Sequence, residues 1–209
     1  TFGEQAIEAI RALVETGQVD LIIVDSVAAL TPRSTLEGES GQAQMAVQAR
    51  MMSQAMKLIT GPASEHECTV IFINQLRATM SMYGPSQTTT GGKALKFFAS
   101  QRLEIKNKGK LKVGEEVVGF KQLIDVVKNK IGSPFKKVQY DIVYGKGIDK
   151  VNGLIEGCVK QKILERNGAY YKYNGDNIAQ GMKKLLVLLD ENPALLEELE
   201  AEYKAKTSK

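Results

Sequence analysis

Two polar side chains stop apolar runs at positions where phosphate chemistry has a use for them. The stretch "LIIVD" closes on Asp25, and "VIFINQ" closes on Gln75. A carboxylate at the end of a buried strand can anchor magnesium, which keeps several of its waters, so one carboxylate is enough, directly or through water. Ser26 follows and can orient such a water. Gln75, an uncharged amide, can hydrogen-bond a γ-phosphate or its attacking water without adding negative charge. Ligands of open α/β sheets sit beyond the carboxyl ends of the strands, where both residues stand. Taken alone, Asp25 equally fits a cap on the turn after a strand; for Gln75 an ordinary turn residue is the less favoured reading. The 209 residues contain no G-x-x-x-x-G-K-[ST] phosphate loop, so these groups make at most half of an ATP site.

Gln75 opens into "LRATMSMYGPSQTTTGG", residues 76–92, which has no hydrophobic period. Loops of this length inside compact domains are commonly functional or disordered. Thr88, Thr89 and Thr90 offer three hydroxyls, and Gly91 and Gly92 permit close backbone approach to phosphates. Met80, Met82 and Tyr83 are apolar groups able to wedge between bases or stack on them. Arg77 and Lys93 bracket the segment with positive charge. A side chain that senses a γ-phosphate and anchors a loop has the form of a nucleotide-operated switch. A loop with no partner would have the same composition.

The elements that must hold these residues follow from periodicity. "EQAIEAIRALVETG" puts Ala6, Ile7, Ile10, Leu13 and Val14 on one helical face and reaches Gly17, a C-cap signal. "VDLIIVD" and "CTVIFINQ" are apolar runs without alternation, which predicts parallel strands buried on both faces. Between them "SVAALTPRSTLEGESGQ" reads as loop, and "AQMAVQARMMSQAMKLIT" as a helix carrying Met45, Met52, Met56 and Ile59. Strand, helix, strand is a βαβ unit, so the core is expected to be α/β with a mostly parallel sheet. After Lys93 the alternating stretches "QRLEIKN", "QLIDVVKNK" and "VQYDIVYG" predict antiparallel strands that extend the sheet at one edge. From Gly147 onward two amphipathic helices, the Tyr-rich hairpin "GAYYKYNGD" and a charged terminal helix predict a small α+β domain. The expected division is 1–147 and 148–209.

Composition narrows the function classes. No stretch reaches the roughly 18 apolar residues of a membrane span, and nothing resembles a signal peptide, so a cytoplasmic protein is expected. Cys68 and Cys158 make no metal spacing with each other or with His66, which disfavours zinc and Cys–His chemistry. The net charge of +4 is unevenly spread: 5 basic and 9 acidic side chains in 1–92, 12 and 4 in 93–137, 11 and 11 in 138–209. A basic middle block suits an anionic partner met by one face, or equally a solvated lysine-rich surface.

"VDLIIVDSVAALTPRSTLEGE", "ARMMSQAM", "FINQLR", "TTTGGKALKFFAS", "VVKNKIGSPFK" and "GLIEGCVKQKILERNGAYYKYNGDNIAQG" together resemble the bacterial RecA recombinase family, in order and with near-family spacing over almost the whole chain. The resemblance implies a RecA-type P-loop ATPase core followed by a small C-terminal domain. It also implies a DNA-dependent ATPase that uses ATP and magnesium. Such an enzyme polymerises on single-stranded DNA as a helical filament of its own copies and exchanges strands with homologous duplex DNA in recombination and repair. Its filament also promotes self-cleavage of the SOS repressor.

By motif, Asp25 is similar to the Walker B aspartate and Gln75 to the γ-phosphate sensor. "EGESGQAQM" resembles the first DNA-binding loop, and Arg77 to Lys93 the second. Arg50, Ser53 and Lys57 resemble contacts to the DNA backbone, and Met45 and Tyr83 resemble residues inserted between base triplets. Lys128 and Lys130 are similar to lysines that reach a neighbouring subunit's ATP. Tyr144 and Gly145 match positions near the adenine, and Phe97 a subunit contact.

Departures accompany the match. The family's N-terminal helix and strand, phosphate loop and catalytic glutamate precede the point where this sequence starts, so a part of a longer protein is expected, inactive as an ATPase by itself. The second loop is one residue short between Arg77 and Tyr83. Asp125 stands where a basic residue is common, Lys106 and Asn107 replace what is often a basic pair, and "YKAKTSK" replaces an acidic tail. A DNA- or subunit-binding module without catalysis is the alternative. Another ATPase of the superfamily, such as a hexameric helicase, would lack the "ARMMSQAM" helix, and a dehydrogenase would need a G-x-G-x-x-G.

Overall fold

The apolar period over residues 6–14 winds into α1 (Gly3–Glu15) in the computed structural model, which describes residues 2–38, 43–78 and 87–207. Ile7, Ile10 and Val14 are buried, whereas Leu13 is exposed. At about 100° per residue Leu13 falls at the edge of the apolar stripe rather than within it. Thr16 takes the C-cap position, and Gly17 follows at φ 63°, its N–H donating to the Val14 carbonyl at 3.1 Å. β1 (Leu21–Val24) and β2 (Thr69–Phe72) pair in parallel, from Leu21 opposite Thr69 to Val24 opposite Phe72. The crossover between them carries α3 (Ala43–Glu65), which completes the expected βαβ unit. The stretch after β1 is more ordered than its polar composition predicts. It contains a 3-10 turn at Val27–Ala29 and a short helix α2 (Arg33–Leu36), the latter tied to α1 by the Arg33 N–H donating to the Glu4 carboxylate at 3.1 Å.

The expectation that both strands are buried on two faces does not hold. Val24 is buried and Ile22, Val70 and Phe72 pack against the same core, while Leu21, Ile23 and Ile71 are exposed. Successive strand residues point to opposite faces, so helices packed on one face cover only alternate positions. The covered face meets Ile7, Ile10, Val14, Val27, Met52, Met56 and Ile59. Each such side chain, fully buried, contributes about 1.5–3 kcal/mol. Met45 lies off this stripe at 74% exposure. Residues 76–92, read as lacking regular structure, have a paired base: β3 (Leu76–Ala78) runs antiparallel to β4 (Gln87–Thr89). α4 (Ala94–Phe98) follows.

These elements belong to the first of two compact units, Thr1–Ser100, and the second is Gln101–Lys209. In the second, β5 (Gln101–Val113), β6 (Glu116–Asn129), β7 (Lys137–Val143) and β8 (Gly147–Ile148) form an antiparallel sheet in that order. The antiparallel strands expected after Lys93 are therefore present as a four-stranded sheet of their own. α5 (Lys150–Lys160) starts at Asp149, whose Oδ1 accepts from the Asn152 N–H at 3.0 Å, a side-chain N-cap. The Tyr-rich segment gives β9 (Glu165–Asn167), β10 (Tyr170–Tyr173) and β11 (Asp176–Gln180), and α6 (Met182–Glu191) and α7 (Pro193–Thr207) close the chain. Ile155, Cys158, Leu164, Tyr171, Leu185, Leu189 and Leu199 make a separate core there. Among the described residues no helix is long and apolar enough to cross a membrane.

Candidate functional site

Parallel pairing sets the ends of β1 and β2 side by side, and the ladder continues past them. The Ile73 N–H donates to the Val24 carbonyl at 3.0 Å, and the Val27 N–H donates to the Ile73 carbonyl at 2.9 Å. Asp25 is therefore held alongside residues 73–75, with its carboxylate exposed, Ser26 half-buried and Gln75 exposed. Gln48 on α3 braces the turn beyond Asp25, its Nε2–H donating to the carbonyls of Val27 at 3.3 Å and Leu30 at 3.0 Å. Among the described residues no three His, Cys, Asp or Glu side chains converge on a metal position. A cation here would be held by one solvent-facing carboxylate and by groups it brings with it. One such carboxylate is compatible with a hydrated magnesium ion, which keeps several of its waters.

Asn74, which sequence reasoning passed over, links the candidate sensor to the hairpin. Its Oδ1 accepts from the Gln75 N–H at 2.8 Å, and its Nδ2–H donates to the Thr90 carbonyl at 2.9 Å. One side chain thus fixes the backbone at Gln75 and closes the base of the β3–β4 hairpin, where Leu76 faces Thr89 and Arg77 faces Thr88. An Asn beside the candidate sensor was the available signal, because its short amide readily bonds neighbouring backbone. Thr88, Thr89 and Thr90 are half-buried. The Thr90 Oγ1 is buried with no hydrogen-bond partner among the described residues.

The two glycines after Thr90 have a packing role that the sequence did not reveal. Gly91 (φ 83°) is buried, and a Cβ there would stand 3.1 Å from Met52 Cγ and Val27 Cγ1. At Gly92 (φ 76°) it would stand 2.7 Å from the Ala49 Cβ. The end of the hairpin is thereby pressed onto α3 and onto the turn that follows Asp25.

α3 turns its opposite side outward. Arg50 and Lys57 are exposed, and with Ser53 they share a face at helical spacing. The Ser53 hydroxyl donates to the Ala49 carbonyl at 2.8 Å, so it must rotate before it can donate to a phosphate. Met45 and Lys93 are exposed, as is Phe97 on α4 at 70%. Met80, Met82 and Tyr83 lie outside the described residues, as do residues 39–42 of the first-loop segment.

In the second unit the candidate nucleotide contacts separate into two groups. Lys128 and Lys130 stand at the end of β6, where Arg102 of β5 faces Lys128. Partial burial, then the charges of Lys130 and Arg102, hold the Lys128 ammonium below the usual lysine range. Tyr144 and Gly145 form the turn after β7, beside Val118, whose carbonyl accepts from the Tyr144 N–H at 2.9 Å. The exposed Tyr144 ring meets Phe120 edge to face, with centroids 5.4 Å apart. From Val118 to Lys128 the strand advances roughly 30 Å at about 3.3 Å per residue. The lysines and the tyrosine turn are thus at opposite ends of one sheet, too far apart to grip one nucleotide.

Family comparisons match the RecA N-terminal domain over residues 1–149 and the RecA C-terminal domain over 152–208. "Protein RecA" of Acinetobacter baylyi is 48% identical over 200 residues, which cover 95% of this chain and 57% of that relative. "Protein RecA" of Acinetobacter baumannii is 48% identical over 199 residues, again 95% of this chain and 57% of the relative. The chain spans somewhat more than half the length of these curated relatives.

Proposed function

Because the chain belongs to the RecA family, we propose that it supplies the Walker B side of an ATP site and the DNA-contacting surface of a DNA-dependent recombinase ATPase. The activity is assembly on single-stranded DNA, pairing with homologous duplex DNA and strand exchange in recombinational repair. The partners include further copies of the chain and the SOS repressor, in the cytoplasm, and the working division is a core to residue 147 and a C-terminal domain from 148.

The observation that carries this reading is the set of hydrogen bonds that ties Val24 and Val27, on either side of Asp25, to Ile73, and the neighbouring Asn74 to Gln75 and Thr90. Asp25 would hold the hydrated magnesium of a bound nucleotide, and Gln75 would hydrogen-bond its terminal phosphate or the attacking water. When bound, magnesium-ATP supplies the phosphoryl group and the metal charge that offsets its negative oxygens. A shift of the Gln75 backbone would be felt at Thr90 through Asn74, which gives a physical route between phosphate and hairpin. Arg50, Ser53 and Lys57 on α3, Met45 and the segment from Arg77 to Lys93 would follow the DNA backbone and bases. The distance between Lys128–Lys130 and Tyr144–Gly145 favours two nucleotides, one stacked on Tyr144 and one belonging to a neighbouring copy. Phe97 would be covered by that neighbour.

A second reading has its own support: the 209 residues contain no phosphate loop, so by themselves they would act as a binding module. The DNA surface is tested by anisotropy of a labelled single strand against salt. R50A/K57A is expected to flatten the log–log salt slope by about 1.4, roughly 0.7 for each single-strand phosphate that is no longer neutralised. An unchanged slope and affinity would remove α3 from the interface.

A further inference from the structure

Among the described residues one charged side chain is buried, Asp125 at 9% exposure, and it lies inside the basic block of 12 cations and 4 carboxylates at 93–137. It occupies β6, where the ladder puts Glu104 of β5 on one side and Lys137 of β7 on the other. The Lys106 Nζ donates to Asp125 Oδ2 at 3.0 Å and is 3.5 Å from Glu104 Oε2. The Lys137 Nζ is 3.9 Å from the same Asp125 oxygen, and Arg102 Nη2 is 3.9 Å from Glu104 Oε1. Three cations and two carboxylates therefore share one face of three adjacent strands. Asp125 is at the centre, and one of its oxygens serves two ammonium groups. The hydrogen bond that Lys106 donates to Asp125 is the main influence that raises its ammonium above the usual lysine range.

Removing a carboxylate from water costs several kcal/mol unless its partners hold it closely. Asp125 meets that condition by engaging the two lysines beside it, which leaves them less able to serve any other anion. We propose that Asp125 is a built-in counter-ion that sets the DNA affinity of this sheet face: it keeps Lys106 and Lys137 from the phosphate backbone of duplex DNA. The duplex then has to rely on other cations of the same face, such as Lys121, which stands exposed on β6 at alternate spacing from Asp125. This inference rests on the DNA-binding reading above and specifies which lysines are withheld. Asp125→Asn removes the charge with little change of shape, and is expected to release both lysines.

The test uses the intact chain and a short labelled DNA duplex at several salt concentrations. D125N is expected to bind on the order of threefold to tenfold tighter at low salt, with a slope steeper by about 0.9 for each lysine released. K106Q in the D125N background is expected to cancel much of that gain. Lysine acylation of the unsubstituted chain supplies a readout that does not depend on D125N folding. Saturating duplex is expected to leave Lys106 and Lys137 as reactive as before while protecting Lys121 on the same face. Protection of Lys106 and Lys137 in the unsubstituted chain, or a folded D125N with unchanged affinity and slope, overturns the inference. If single-stranded DNA binds while D125N is silent, only this inference fails. If neither form of DNA binds either chain, the proposed function fails with it.

Discussion

Replacing Asn74 with alanine removes the clasp between the candidate sensor and the hairpin base. Two hydrogen bonds disappear, 2.8 Å from the Gln75 N–H and 2.9 Å to the Thr90 carbonyl. At about 1 kcal/mol net for each, the loss is about 2 kcal/mol. Because α3 and the β1–β2 core do not use Asn74, the cost should appear as local opening of β3–β4 rather than as global unfolding. In native-state hydrogen exchange, about 2 kcal/mol corresponds to roughly 30-fold faster exchange of the β3 and β4 amides, with α1 and α3 amides unchanged. Asn74→Asp separates the two bonds, since a carboxylate still accepts from Gln75 but cannot donate to Thr90. About half of the stability loss is expected, or somewhat more through repulsion between carboxylate and carbonyl. Equal protection of the hairpin amides in N74A and the unsubstituted chain would refute the clasp, and with it the route from Gln75 to Thr90.

Two further outcomes follow from packing and burial. Gly92→Ala brings a Cβ to 2.7 Å from the Ala49 Cβ at φ 76°; about 1–2 kcal/mol of left-handed strain plus overpacking should destabilise the first unit by about 2–4 kcal/mol in urea titration, and an unchanged midpoint would contradict the contact. Burial, then the Glu202 carboxylate, pushes the Cys158 thiol from 9.0 up to about 11. The unfolded chain therefore loses this proton first, and the thiol's contribution to stability is whole below about pH 9 and declines toward pH 11. A Cys158→Ala chain should show a shallower alkaline decline, and identical declines would show that the thiol plays no part.

Much of the first unit was legible because it depends on local pattern. The α1 stripe, the helix through Met52, Met56 and Ile59, and the parallel pair around it all follow from periodicity. What an apolar run cannot state is how many of its faces are covered: Leu21 and Ile23 read the same as Ile22 and Val24, yet only the latter pair packs under the helices. The β3–β4 pairing joins residues on either side of a long segment, and no short-range signal such as an Asn-Gly turn announces it. For Gly91 and Gly92 the sequence shows the missing side chain but not what stands in its space, here Met52, Val27 and Ala49. Asp125 could be seen as a misplaced charge, but its ties to Lys106 and Lys137 required the strand register. The family motifs named Asp25 and Gln75; the hydrogen bonds of Asn74 explain how the second is held.

As proposed above, the chain supplies DNA-contacting residues and the Walker B side of a nucleotide site, and its 209 residues contain no phosphate loop. The measurement closest to this proposal is a titration of labelled single-stranded DNA with the purified chain across several salt concentrations, with and without magnesium-ATP, and with phosphate release followed in parallel. The account predicts weak, sequence-indifferent binding whose log–log salt slope is about −0.7 for each phosphate neutralised. It predicts the same affinity in both nucleotide conditions and no turnover, since phosphate is gripped chiefly by the backbone N–H cradle and lysine of a phosphate loop. ATP-stimulated binding, ATP hydrolysis, or a chain indifferent to DNA at low salt would contradict it.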